Sequence, residues 1–231
     1  MEASVGMALL LGLLLGARHA VDADHVVAIT TIIGRNRGML RSALVGLAWG
    51  AGHNLTLFGA GFVVLVLKLS IPHTFTLSAE FAVGVLLVIL GVPLVWQLMR
   101  RKAHAHVHQH DDGSHFHLHS HADTPHHEHA HLRKPLLVGM LHGLAGSGAL
   151  TLVALNTMPS LGQGLVFLAV FALGITATMI VLSGLIGLPF RLAAQISIRL
   201  GQWIQGAAGM GSIALGLLVM WQTGLAGKLF H

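Results

Sequence analysis

Apolar residues dominate the chain in six long runs, separated by four short polar breaks and one long one. The runs lie at about 7–33, 44–67, 78–99, 135–158, 161–188 and 200–225. Most approach or exceed the roughly 20 residues that a helix needs to cross a hydrocarbon core. The pattern predicts an all-α integral membrane protein with about six transmembrane helices. The first run is longer than a straight span and holds ionisable residues, so it is expected to tilt or break between Gly16 and Asp24. Pro135 is expected at the first helical position of the fourth span, where its missing N–H costs nothing. The 29 glycines suit close helix–helix packing in lipid, where association relies on close contact rather than hydrophobic drive.

The polar breaks carry a topology signal. Arg35, Arg37 and Arg41 follow the first run, Arg100, Arg101, Lys102, Arg133 and Lys134 follow the third, and Arg191 and Arg199 follow the fifth. These three loops share one side and hold ten of the thirteen basic residues. The positive-inside rule makes that side cytoplasmic and places both termini outside, in a multi-pass cell-membrane protein. Trp96 and Trp221 fall near span ends, as interfacial aromatics do.

A weak internal repeat is also present. Leu90-Gly-Val-Pro-Leu-Val-Trp-Gln97 aligns with Leu215-Gly-Leu-Leu-Val-Met-Trp-Gln222, and His19 precedes His142 by a similar offset. Three spans per half would give opposite topologies, hence a 3+3 inverted repeat with a site between the halves at broken helices. The expected organisation is a first half over 1–99, a linker over 100–134 and a second half over 135–231.

Composition narrows the class. The chain has 231 residues, 54% hydrophobic and 9% charged, with a mean hydropathy of +0.76. A soluble domain carries about 25% charged residues. There is no cysteine, so disulfides, thiolate metal sites and thiol catalysis are excluded. The net charge of +5 sits in the loops and reads as topology, with no nucleic-acid partner expected. The N-terminus resembles a signal peptide only loosely, since Met1–Ser4 has no Lys or Arg.

The chemistry concentrates in residues 17–31, where Arg18, His19, Asp22, Asp24 and His25 interrupt an apolar run. An ionisable side chain at mid-bilayer costs roughly 2.5–3.5 kcal/mol on insertion scales, so such a cluster points to function. On a continuous helix His19, Asp22 and His25 fall along one stripe, and Asp24 points away unless the helix unwinds. Two imidazoles and two carboxylates form a donor set for a divalent transition metal. The alternative is a polar helix end at the membrane surface. His53 and Asn54 lie inside the second span and His142 lies near the start of the fourth; each could close the site or serve as a helix–helix hydrogen-bond partner. Ser147, Asn156, Thr176 and Thr178 read as helix–helix contacts, with Thr176 placed as the repeat counterpart of Asn54. His73 and Glu80 read as loop-proximal outer-face residues and His231 as a tail.

Residues 103–131 hold 12 of the 18 histidines, interleaved with Asp111, Asp112, Asp123 and Glu128. Low apolar content predicts a disordered cytoplasmic linker that binds transition metals at many positions. It reads as a metal buffer, an acceptor, a sensor, or a solvated linker dispensable for turnover.

Arg18-His-Ala-Val-Asp-Ala-Asp-His25 resembles the H-x4-D-H signature of the nickel/cobalt transporter family, and Gly52-His-Asn-Leu-Thr56 is similar to its second histidine-containing motif. The six-span size resembles the shorter, UreH-type urease-accessory branch, and the His-rich loop resembles that of related efflux proteins. The resemblance implies movement of Ni²⁺ or Co²⁺ across a membrane, with His19, Asp24 and His25 as signature positions, Asp22 beside them and His53 in the second motif. The chain departs from longer members, which have eight spans and an Asp-Thr-Ala-Thr-Glu-type motif; His142-Gly-Leu-Ala-Gly-Ser-Gly148 occupies a comparable place without acidic residues.

The leading expectation is a secondary transporter, not an enzyme, taking up Ni²⁺ or Co²⁺ as cargo, with no resident cofactor. The lipid bilayer, the ion and a cytoplasmic metallochaperone are the expected partners. Inward movement of a double charge gains about 4.6 kcal/mol per 100 mV, and the chain has no Walker pattern. Efflux with the His tract as collector, a non-transporting sensor or chaperone, and a membrane metalloenzyme are the alternatives. The last lacks a His-Glu-x-x-His motif.

Overall fold

The structure is a computed structural model that describes residues 2–33, 38–68, 72–100, 106–110, 113–117, 130–143, 160–226 and 229. Arg35, Arg37, Ser147, Asn156, His231, most of the His-rich tract and the second half of the expected fourth span lie outside the described residues.

The first apolar run forms two helices, α1 over Glu2–Ala20 and α2 over Ala23–Ile33. Between them Val21 and Asp22 donate their N–H groups to the Arg18 and His19 carbonyls, at 3.2 and 3.0 Å. The new helix opens when Val26 donates to the Asp22 carbonyl at 3.1 Å. The break thus lies where ionisable residues interrupt the apolar run. The charge cluster makes a turn here: Asp22 reaches back to both Arg18 and His19.

Four helices among the described residues are long and apolar enough to cross a membrane: 39–67, 73–100, 161–196 and 198–226. We label them α3 (Met39–Leu67), α4 (His73–Arg100), α6 (Leu161–Ile196) and α7 (Ile198–Met220), the last extended by a π-helical segment, Trp221–Ala226. Lys68 closes α3 in the left-handed region at φ 50. Ser160 caps α6 by accepting from the Gln163 N–H at 3.3 Å. Helix α6 runs past the expected end at residue 188 and stops only at Ser197, whose hydroxyl caps the start of α7. Thirty-six residues span about 54 Å at 1.5 Å each, so α6 extends well beyond a hydrocarbon core.

Helix α5 covers Ala130–His142. It starts before Pro135, which therefore lies inside the helix instead of at its first position. The ring removes the N–H that would have bonded to the His131 carbonyl. The His-rich tract also departs from uniform disorder. Strands β1 (His106–His110) and β2 (Gly113–His117) form an antiparallel hairpin, with His106 opposite His117 and His108 opposite His115.

Glycines set the helix crossings. A Cβ on Gly16 would collide with the Phe171 carbonyl, and one on Gly174 with that of Leu13, so α1 and α6 touch backbone to backbone. Gly139 stands in the same relation to Trp49, and Gly52 to Leu136, where α3 meets α5. Helices α4 and α7 cross at Gly84–Gly216 and Gly91–Gly209, and Ser212 donates to the Leu87 carbonyl at 2.7 Å beside them. The other two crossings are α1–α6 and α3–α5. They bring the ends of α1 and α5 to the middle of α3. There the largest fully buried side chains include Trp49, Ile29, Leu168 and Ile175 together with His25, His53 and His142.

Gly139→Val is expected to lower stability by about 1–3 kcal/mol, the usual cost of forcing extra methyls into a packed contact. Gly59→Ala, which would meet no atom within 4 Å, is expected to be neutral or stabilising. Thermal unfolding of the purified protein in detergent measures both.

Candidate metal centre

The site is assembled from four helix segments. His19 comes from the last turn of α1, Asp24 and His25 from the first turn of α2, His53 from the middle of α3, and His142 from the last residue of α5. The four imidazoles are buried, His53 and His142 completely. Because the helix breaks at Val21–Asp22, Asp24 is not turned away from the histidines. Its Oδ1 lies 3.1 Å from His25 Nδ1, and its Oδ2 lies 3.1 Å from His142 Nε2. Asp24 is about three-quarters buried, so this carboxylate gives up much of its hydration in exchange for two imidazole partners.

The His25 ring meets His19 and His142 edge to face and His53 at a tilt. His25 lies 4.5 Å from His19, 4.8 Å from His142 and 5.3 Å from His53, centroid to centroid. Trp49 stacks on His53 at 5.0 Å and meets His25 edge-on at 4.9 Å, while Phe171 stacks on His19. Trp49 and Phe171 form an apolar wall that the expected ligand set did not include. The signal for Trp49 was its position four residues before His53, one helical turn away on the same face.

Several donors have no hydrogen-bond partner among the described residues. Both ring nitrogens of His53 are in this state, as are His25 Nε2 and His142 Nδ1. A buried polar group left unsatisfied costs about 1–3 kcal/mol, and packing alone gives no reason to place several together. A divalent ion would occupy such lone pairs. Two groups place one donor atom per residue within 4.8 Å of each other: His19, His25 and His53, and Asp24, His25 and His142. If three donors sit at the corners of a triangle of that size, its centre is about 2.8 Å from each, so they would have to draw inward to reach a metal–nitrogen bond of roughly 2.0–2.1 Å. Helices α1 and α5 both end at the site, and the negative ends of their dipoles favour a cation.

The other expected site residues have different surroundings. Asp22 accepts from Arg18 at 2.5 Å and contacts His19 Nδ1 at 3.0 Å; it belongs to neither donor group. Its Oδ2 holds the Nδ1 edge of the His19 ring, the kind of contact by which carboxylates orient metal-binding histidines. Arg18 is largely exposed. Asn54 donates its amide to the Ala172 carbonyl at 3.0 Å and to Thr176 Oγ1 at 2.7 Å, so that nitrogen ties α3 to α6. Its Oδ1 is buried without a partner among the described residues.

The chain is 35% identical, over 240 residues, to urease accessory protein UreH of Bacillus sp. (strain TB-90), a match covering 96% of this chain and 94% of that protein. No family model and no solved structure matches the chain.

Asp22→Asn is expected to keep metal binding but weaken it about 10–100-fold, the typical cost of removing a carboxylate that orients a histidine ligand. Asp24→Asn is expected to lose more, because it removes a charged donor itself. Ni²⁺ titration of the two purified variants against a competing chelator ranks them.

Proposed function

Since this chain belongs to the family of the urease accessory protein UreH, we propose that it is a secondary transporter carrying a divalent transition metal, Ni²⁺ before Co²⁺, into the cell for urease maturation. The observation that carries this reading is the buried cluster at the helix break: four imidazoles and one carboxylate, with several ring nitrogens lacking hydrogen-bond partners among the described residues. Imidazole with carboxylate suits Ni, Co and Zn alike, and an uncompensated divalent charge in low dielectric is very costly. Asp24 would offset part of that charge, and the two helix C-termini would add to it. Nickel as first choice rests on the resemblance of the Arg18–His25 motif to the nickel/cobalt transporters and on the relative's role as a urease accessory protein.

In this reading the chain has six spans in two inverted halves, 1–99 and 135–231, joined by the His-rich linker. The described contacts support that arrangement. Leu13, Gly16 and His19 each precede Leu136, Gly139 and His142 by 123 positions. Trp49, Gly52 and Asn54 precede Phe171, Gly174 and Thr176 by 122. The glycine contacts Gly16–Phe171 and Gly174–Leu13 between α1 and α6 thus have counterparts, Gly139–Trp49 and Gly52–Leu136, between α5 and α3, and Asn54 bonds to its own counterpart. Pseudo-twofold symmetry with a site at broken helices is a common plan for secondary transporters. The distribution of basic residues favours a cytoplasmic linker with both termini outside. Inward flux then runs down the membrane potential by about 4.6 kcal/mol per 100 mV for a double charge, and the tract can pass metal to a cytoplasmic metallochaperone.

Proteoliposomes holding the purified protein are expected to take up Ni²⁺ saturably. His19→Ala and Asp24→Ala are expected to cut that flux at least about tenfold, in line with losses on removing groups at metal sites. Deletion of 103–131 is expected to leave most of it. Flux that survives both substitutions would move the site elsewhere. Tight binding without flux of any metal would favour a sensor or chaperone. Flux that runs only outward would favour efflux, with the tract as collector.

A further inference from the structure

The five donors do not fall into one set. His19, His25 and His53 form one group and Asp24, His25 and His142 the other, and only His25 belongs to both. The two edges of the His25 ring face different surroundings. Its Nδ1 lies 3.1 Å from Asp24 Oδ1, on the side where Asp24 Oδ2 contacts His142 Nε2. Its Nε2 is buried without a hydrogen-bond partner among the described residues, as are both nitrogens of His53. One group is therefore imidazole only and carries no formal charge. The other carries a carboxylate.

A neutral imidazole has a single lone pair available for coordination, because its other nitrogen bears the proton. An ion bound through one edge of His25 leaves no lone pair on the opposite edge. Two ions on opposite edges of one ring would also repel strongly in a medium of low dielectric. We infer that the site is a pair of mutually exclusive stations sharing His25, an imidazole-only station with His19 and His53 and a carboxylate station with Asp24 and His142, between which a single ion passes. This rests on the transport reading above. The arrangement gives transport a physical advantage. An ion that trades His19 and His53 for Asp24 and His142 exchanges one edge of the His25 ring for the other, with the ring proton moving to the nitrogen it vacates, and neither station holds it with all five donors. Multi-site binding of moderate strength lets an ion both enter and leave. His19 and His142 occupy matching positions in the two halves, so each station takes one member of that pair.

The test uses the full-length chain with the histidines of 103–131 changed to asparagine, so that the tract adds no imidazole. Co²⁺ is the probe, because its visible absorption bands report ligand type and geometry. The inference expects one Co²⁺ per chain at saturation. It expects His53→Gln and His142→Gln each to retain one ion, with band positions shifted in different ways from the parent and from each other. It expects His25→Gln, which removes the shared ring, to lose the bound ion. Two ions per parent chain would overturn exclusivity. Loss of the ion in both His53→Gln and His142→Gln, or identical spectra in the two, would overturn the pairing in favour of one common site. The parent stoichiometry needs no substitution within the site, so a misfolded variant cannot mask that result. Ni²⁺ flux into vesicles is measured on the same proteins. One ion, two spectra and no flux would contradict the transport reading while leaving the paired stations in place.

Discussion

The carboxylate of Asp24, bonded on one side to His25 and on the other to His142, is the contact on which the site depends. Its two partners are one and 118 residues away in sequence, so it joins a turn within the first apolar run to the end of a helix beyond the long linker. In hydrocarbon surroundings a lone carboxylate is expensive, and so is each imidazole without a partner. Together they reduce one another's cost. The remaining ring nitrogens of His25, His53 and His142 are buried close together, in two donor groups that could hold a metal ion.

Backbone geometry makes that contact possible. Asp24 reaches the cluster only because α1 stops at Ala20 and α2 restarts at Ala23, which changes its direction relative to a continuous helix. His142 reaches it because glycines at 52 and 139 let α3 and α5 touch. His19 is brought to the same place by Gly16 and Gly174 between α1 and α6. The glycines serve as geometry as much as packing. They fix where two helix ends meet, and those ends contribute the negative poles that a cation favours.

The sequence made much of this legible, because a membrane magnifies the meaning of polar residues. Each of the four site histidines interrupts or borders an apolar run, and none has an obvious solvent role. The break near Asp24 was legible for the same reason. Other features were not. Trp49 is one apolar residue among many until its ring is seen against His53. The separate task of Asn54, whose amide ties two helices, depends on a partner 122 residues away. Helix α6 runs past Pro189 and Arg191 to Ile196, and this continuation buries Phe190 and Ala193, which the basic residue at 191 hid in the sequence. The pairing of His106–His110 with Gly113–His117 was not legible, because low apolar content and irregular histidine spacing point to disorder.

The central claim is that the ion is held by histidines and a carboxylate at this helix break. X-ray absorption of Ni²⁺ bound to the full-length protein, with the tract histidines replaced by asparagine, tests it most directly. The account predicts the outer-shell scattering of two or three imidazoles alongside nitrogen and oxygen neighbours, with that scattering lost in His25→Gln. An oxygen-only shell, or an imidazole signal unchanged by His25→Gln, would contradict it.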